Sequence, residues 1–185
     1  LSFSQALKVS PDDHPFVVLR HDVDMDLDKA LEMAKIDAEL GIAATYFLLL
    51  CTDQYNFFSQ ENTEKIGRVL ELGNDLGLHF DPAAYPEDIQ EAQFREVCLN
   101  EANIMKHWFK KPVKAISFHR PNAFVLEGKA SITDPLPHTC MDEFTKDIKY
   151  FSNRKDLMII QSTQMEYQLL YLLKYSMKYV VKSMV

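Results

Sequence analysis

Four aspartates at spacing two, Asp22, Asp24, Asp26 and Asp28, lie in the stretch LRHDVDMDLDKA, directly after the apolar run PFVVL. Like charges this close repel, so solvent, a helix N-terminus or a metal cation must offset them. Residues i and i+2 at an extended strand end project to the same side. Asp22 and Asp24 therefore either bind a divalent cation together, or one binds it while the other stays free as a base. Asp26 fits a helix N-cap and Asp28 the first helical turn, where the dipole favours an anion. Two further polar clusters, HFD (79–81) and HRP (119–121), supply His79, Asp81, His119 and Arg120. Histidine, carboxylate and water suit Zn²⁺, and also Co²⁺, Ni²⁺ or Mn²⁺. Asp81 is a candidate ligand, a candidate orienter of a ligand, or a turn former ahead of Pro82. Arg120 is a candidate partner for the catalytic carboxylate or for substrate oxygens. His14, His107 and His138 take the plain reading of structural or surface histidines.

These clusters need elements that bring them together. PFVVL (15–19), ATYFLLL (44–50), DLGLHF (75–80) and VKAISF (113–118) read as short apolar strands. Between them, 27–41, 62–74 and 86–109 read as helices. Asp26 caps the first of these, and Gly41 closes it. Asn62 starts the second, which ends near Gly73, and Pro86 sits at the first position of the third. Strands alternating with helices predict a parallel sheet with right-handed crossovers, hence an α/β fold. In such folds the C-terminal strand ends gather the site, and each polar cluster follows a predicted strand. Residues 122–156 read mainly as a long loop, with one more strand expected within 144–152. Residues 165–185 have a helical pattern, and Lys174, Lys178 and Lys182 form a basic stripe at spacing four.

The 185 residues, 47% hydrophobic and 25% charged, suit one domain with a real core. A net charge of −7 with no basic block speaks against a nucleic-acid partner. Three scattered cysteines without a CxxC argue against a thiolate zinc site or a disulfide framework, and for a reducing compartment. No apolar run is long enough to span a bilayer. The expected location is the cytoplasm of a bacterium, although a chain starting at Leu1 leaves room for a lost leader.

The set HDVD, then GLHFDP, then ISFHRP resembles the polysaccharide deacetylase (NodB-homology, carbohydrate esterase family 4-like) proteins. The branch most similar is the deacetylase-like one found with bacterial surface-polysaccharide and O-antigen biosynthesis. The resemblance runs from Phe16 to Ser152. It implies a distorted, incomplete (β/α) barrel and metal-dependent hydrolysis that removes acetyl groups from an N-acetylated sugar or polysaccharide. It makes Asp22 the general base, Asp24 a metal ligand and His79 the first histidine of the metal motif. His119 falls where an arginine beside the catalytic aspartate usually falls, with Arg120 next to it. His119 and Arg120 thereby join Asp22 as catalytic candidates, and His21, Arg120 and Pro121 are placed at the substrate. Zinc is the metal implied first.

Two departures accompany the resemblance. Ala83 stands where a second metal histidine is usual, so the third ligand must be Asp81 or His119. No histidine follows His138, so the usual late general acid is missing. A catalytically impaired relative that binds carbohydrate or metal without turnover is the alternative. A Mn²⁺-dependent D-x-D glycosyltransferase is a weaker one, because five glycines include no Gly-rich nucleotide turn. A structural subunit assembled through its tail is a further one. The domain reading is 1–153 for the barrel and 154–185 for a divergent strand and helix tail, through which homo-oligomer contact is expected. That tail reads as truncated or frameshifted sequence.

Overall fold

The computed structural model describes residues 1–6, 8, 17–127, 129–145, 149–152 and 178–181. Four strands, β1 (Val17–Val23), β2 (Thr45–Leu48), β3 (Asp75–Phe80) and β4 (Val113–Phe118), form a parallel run. They are linked by α2 (Leu27–Glu39), α3 (Gln60–Glu71) and α4 (Glu91–Phe109). The expected α/β alternation with parallel strands is therefore present. A short α1 (Phe3–Ala6) precedes β1, and α5 (Ala123–Leu126) and α6 (Asp142–Thr145) follow β4. Two further strands, β5 (Lys149–Ser152) and β6 (Lys178–Val181), complete a sheet of order β4-β3-β2-β1-β6-β5. Among the described residues this sheet stays open, with β4 and β5 at its edges.

Local chemistry sets most boundaries. The Asp26 carboxylate accepts from the Asp28 and Lys29 amides at the start of α2, a cap worth about 1 kcal/mol. Gly41 and Gly73 take positive φ, 67° and 93°, in the turns that follow α2 and α3. Ser59 caps α3, so this helix starts before Asn62. The expected start of α4 at Pro86 is corrected. Residues 86–90 form a turn, and the helix begins at Glu91 after Gln90.

The reading of 165–185 as a helix is also corrected, over residues 178–181. Tyr179, Val180 and Val181 are strand-favouring residues, and their strand pairs antiparallel with both β1 and β5. It thereby covers the edge of β1 that would otherwise stand open. Lys178 lies in this strand. Lys174, Lys182 and the rest of the expected tail helix lie outside the described residues, as does the expected strand start at Pro15 and Phe16. The strand expected within 144–152 is β5. Among the described residues, no helix is long and apolar enough to cross a membrane.

Each face of the sheet packs its own core. Alternate strand residues such as Leu19, Tyr46, Leu48, Leu78 and Phe80 join Ala34, Ile66 and Met105 under the helices. The opposite face holds a smaller cluster of Phe3, Ala6, Val18, Phe47, Ala115 and Phe144. Beyond this smaller core, on the same face, lie the polar groups of the strand ends.

Candidate metal centre

Strand parity decides which polar residues meet. In β1, Val18 belongs to the smaller core and Leu19 to the larger one. Arg20 and Asp22 therefore share the face of Val18, while His21 faces the helices. Asp24 lies one residue past the strand. In β4 the register against β3 shifts. Leu76 pairs with Val113, but Leu78 pairs with Ile116. The extra residue in β4 is a bulge that re-phases the strand. It brings Ser117 opposite His79. Without it, Ser117 and His119 would alternate onto the wrong face. The turn after β4 is held by the His119 amide, which donates to the Phe80 carbonyl at 2.7 Å, and by Arg120 at φ 53°.

Three donor atoms converge as a result. His79 Nε2 is 3.0 Å from Asp24 Oδ1, and His119 Nδ1 is 3.3 Å from both Asp24 Oδ1 and His79 Nε2. Ligands held about 2.0–2.1 Å from a tetrahedral zinc stand about 3.3 Å from one another. Two imidazole nitrogens and one carboxylate oxygen thus fit a divalent transition metal in spacing and in chemistry. Among the described residues they form the one cluster of three such donors. His79 is enclosed, with 2% of its side chain exposed, whereas Asp24 is 41% exposed. The centre is therefore anchored on its β3 side and open on its β1 side. Asp24 and His119 line a cavity of about 720 Å³, together with Met25, Leu49, Cys51, Asp81 and Arg120.

His79 is oriented from behind. Its Nδ1 lies 2.6 Å from the hydroxyl of Ser117, which also reaches Asp22 Oδ1 at 3.4 Å. Asp22 is gripped by Arg20, whose Nε and terminal nitrogen donate to its two oxygens at 3.1 and 2.6 Å. This two-bond fork fixes the orientation of the carboxylate. The Asp22 side chain is only 2% exposed, and it lies outside the lining of the cavity. The Arg20 guanidinium in turn lies over the Phe47 ring, 5.5 Å from its centre. Phe47 occupies space that only a glycine leaves open. A Cβ on Gly77 would meet its ring at 2.4 Å.

The remaining expected site residues are placed elsewhere. Asp81 is not one of the converging donors. Its carboxylate binds the terminal nitrogen of Arg120 and caps a 3₁₀ turn at Pro82–Ala84. Arg120 therefore pairs with Asp81 rather than with Asp22, because the φ-positive turn carries it away from β1. Ala83 lines the cavity without a donor side chain, and His119 fills the third corner of the cluster. His21 was expected at substrate. One step out of phase with Asp22, it faces α2, where its Nε2 is 3.1 Å from Asp37 Oδ2. The Tyr46 hydroxyl donates to the same oxygen at 2.7 Å. Pro121 is exposed beyond Arg120 and does not line the cavity.

Sequence reasoning missed Arg20 and Ser117. Arg20 carried a usable signal, since it stands at i−2 from Asp22 on one strand face. Ser117 carried none until the bulge in β4 was visible. A buried acid was also missed. Glu101 of α4 is buried, and its Oε1 accepts from the Tyr85 hydroxyl at 2.7 Å and from the Cys51 thiol at 3.5 Å. Burial pushes its carboxyl up from the usual range, against the lowering effect of those two hydrogen bonds. Partial burial, with Glu101 beside it, pushes the Cys51 thiol up to about 11.

No protein-family profile and no curated protein matches the chain. Among solved structures it is similar to BA3943, a CE4 family pseudoenzyme from Bacillus anthracis. The TM-score is 0.49 at 10% identity, over 65% of this chain and 41% of that one. A BA3943 mutant with restored enzymatic activity gives the same TM-score and identity, over 65% of this chain and 42% of that one. The chain thus spans about two fifths of the length of the solved structures it matches.

Proposed function

We propose that this protein is a metal-dependent hydrolase that removes N-acetyl groups from a sugar or polysaccharide, in the making of a bacterial surface polysaccharide. The observation that carries the reading is the convergence of Asp24, His79 and His119, with donor spacings of 3.0, 3.3 and 3.3 Å, at the wall of an open cavity. The substrate class rests on the resemblance of the HDVD, LHFD and FHRP stretches that supply these residues. In this reading Asp24, His79 and His119 hold the cation, with zinc favoured by two nitrogen donors and one oxygen donor. A bound divalent cation would supply Lewis-acid polarisation of an amide carbonyl and a more acidic water.

The chain's own residues take the remaining roles. Asp22, held at both oxygens by Arg20, is the proton acceptor. Arg120, 66% exposed at the cavity and paired with Asp81, is the donor available to substrate hydroxyls or carbonyls. Met25 and Leu49 give the same cavity apolar surface for an acetyl methyl or a sugar face.

A second reading, binding without turnover, is favoured by one observation. Asp22, the proton acceptor of the first reading, is only 2% exposed, is bound at both oxygens by Arg20 and lies outside the cavity lining. Zinc-loaded protein incubated with N-acetylglucosamine oligomers separates the two. Equal amounts of free amine and acetate, both lost in Asp22→Asn, support the hydrolase. Zinc binding and oligomer binding with no acetate released support the second reading instead.

A further inference from the structure

We propose that Ser117 is a two-position relay that ties the tautomer of His79 to the hydrogen bonding of Asp22, so that loading the metal centre hands one hydrogen bond to Asp22. The proposal rests on the reading of Asp24, His79 and His119 as a metal centre.

The protons in this closed space are few enough to count. Ser117 is fully buried and His79 nearly so. The serine hydroxyl has a single proton and two acceptors within reach, His79 Nδ1 at 2.6 Å and Asp22 Oδ1 at 3.4 Å. A neutral imidazole carries its proton on one nitrogen only. With the centre empty, the natural place for that proton is Nε2, which faces the Asp24 carboxylate at 3.0 Å. Nδ1 is then an acceptor, and the Ser117 proton must point at it. A cation on Nε2 requires the lone pair there, so the imidazole proton sits on Nδ1. Nδ1 then donates to Ser117 Oγ, and the serine proton is released to turn toward Asp22. One proton leaves Nε2, one arrives at Nδ1, and the hydroxyl keeps its own. No net proton is gained or lost by the ring.

Arg20 already binds both Asp22 oxygens from the other side. The serine therefore adds a donor on the side that faces the metal centre. Register makes the device possible, because the β4 bulge sets Ser117 directly across from His79 on the neighbouring strand. Ser117 is a positioning residue in this account. It acts on the centre through His79 and on the base through one hydrogen bond.

Long-range ¹H–¹⁵N spectra of histidine-labelled protein test the first half on the wild type. His79 is expected to carry its proton on Nε2 without metal and on Nδ1 with zinc. A proton on Nδ1 in both states, or ligation through Nδ1, overturns the relay. Zinc competition against a chromophoric chelator tests the variants. Ser117→Ala is expected to weaken zinc binding about 10- to 100-fold, and Ser117→Thr, which keeps the hydroxyl, to restore it to within a few-fold. Equal affinity of wild type and Ser117→Ala overturns the proposal alone. A wild type that binds no zinc overturns the metal reading and the relay with it. For the Asp22 half, Asp22→Ala should lower zinc affinity more in the wild type than in the Ser117→Ala background, by about threefold or more. Strictly additive losses would remove Asp22 from the relay.

Discussion

Two histidine–aspartate pairs of nearly equal length stand on opposite faces of one sheet. His21 Nε2 and Asp37 Oδ2 are 3.1 Å apart under α2, and His79 Nε2 and Asp24 Oδ1 are 3.0 Å apart at the strand ends. Distance alone does not distinguish them. Enclosure and company do. Asp37 is fully buried and its bonded oxygen also accepts from Tyr46, so that pair is closed off inside the larger core. Asp24 is open to the cavity and a third donor, His119, joins its pair. A closed pair of this kind braces a helix against a sheet. An open pair with a third converging donor and room beside it has the arrangement that the proposed metal centre needs.

The largest expected effect comes from breaking the closed pair. Truncating one partner of this buried, hydrogen-bonded pair leaves the other unsatisfied and opens a cavity, at a cost of about 3–5 kcal/mol. His21→Ala or Asp37→Ala should lower the denaturation midpoint accordingly and leave the zinc stoichiometry unchanged. Asp24→Ala should do the reverse, abolishing zinc binding with little change in the stability of the metal-free protein. Chemical denaturation and zinc titration on the same preparations check both. If His21→Ala also abolished zinc binding without a stability cost, the two faces would have been assigned backwards.

A smaller effect is expected at the support of the open site. Gly77→Ala forces a methyl into the Phe47 ring, at a cost of about 1–3 kcal/mol for an overpacked core. Because Phe47 lies against Arg20, the same substitution should reduce turnover more than it reduces substrate affinity. Steady-state kinetics on the zinc-loaded protein would show this as a fall in kcat with KM nearly constant. Arg20→Lys cannot fork both Asp22 oxygens, and it should lower kcat/KM about tenfold with a modest loss of stability.

The smallest effect sharpens the contrast with a buried acid beside the cavity. Burial raises the Glu101 carboxyl in the folded state, so folding favours its neutral form. Stability from this group is present at acid pH and is lost as pH rises from the ordinary carboxylate range through the raised folded value. Glu101→Gln keeps an acceptor for Tyr85 and Cys51 and removes the titration. Its midpoint should therefore gain on wild type with increasing pH, which thermal melts at several pH values measure. A wild-type advantage that grew with pH would contradict the burial.

Much of this arrangement is legible in the residues themselves. Short apolar runs alternating with amphipathic ones specify the parallel core, and the polar residues after each run fall at strand ends, where Asp24, His79 and His119 meet. Strand parity also separates His21 from Asp22. That step follows from period two alone. The rest depends on non-local geometry. Nothing local in VKAISF marks the bulge that turns Ser117 toward His79. Nothing local in HRP shows that Arg120 takes a left-handed turn and pairs with Asp81. Pro86 is a good helix starter in isolation, yet the chain spends 86–90 on a turn before α4. In the tail, a pattern at helical spacing is overridden over 178–181 by the exposed edge of β1, which recruits a strand.

The central claim, a metal centre on the open face, is tested most directly by elemental analysis after zinc loading, on wild type and on Asp24→Ala, His79→Ala and His119→Ala in parallel. The account predicts near-stoichiometric zinc in the wild type and loss of it in all three variants, each still folded. A wild type that retains no zinc, or variants that retain as much as the wild type, would contradict it.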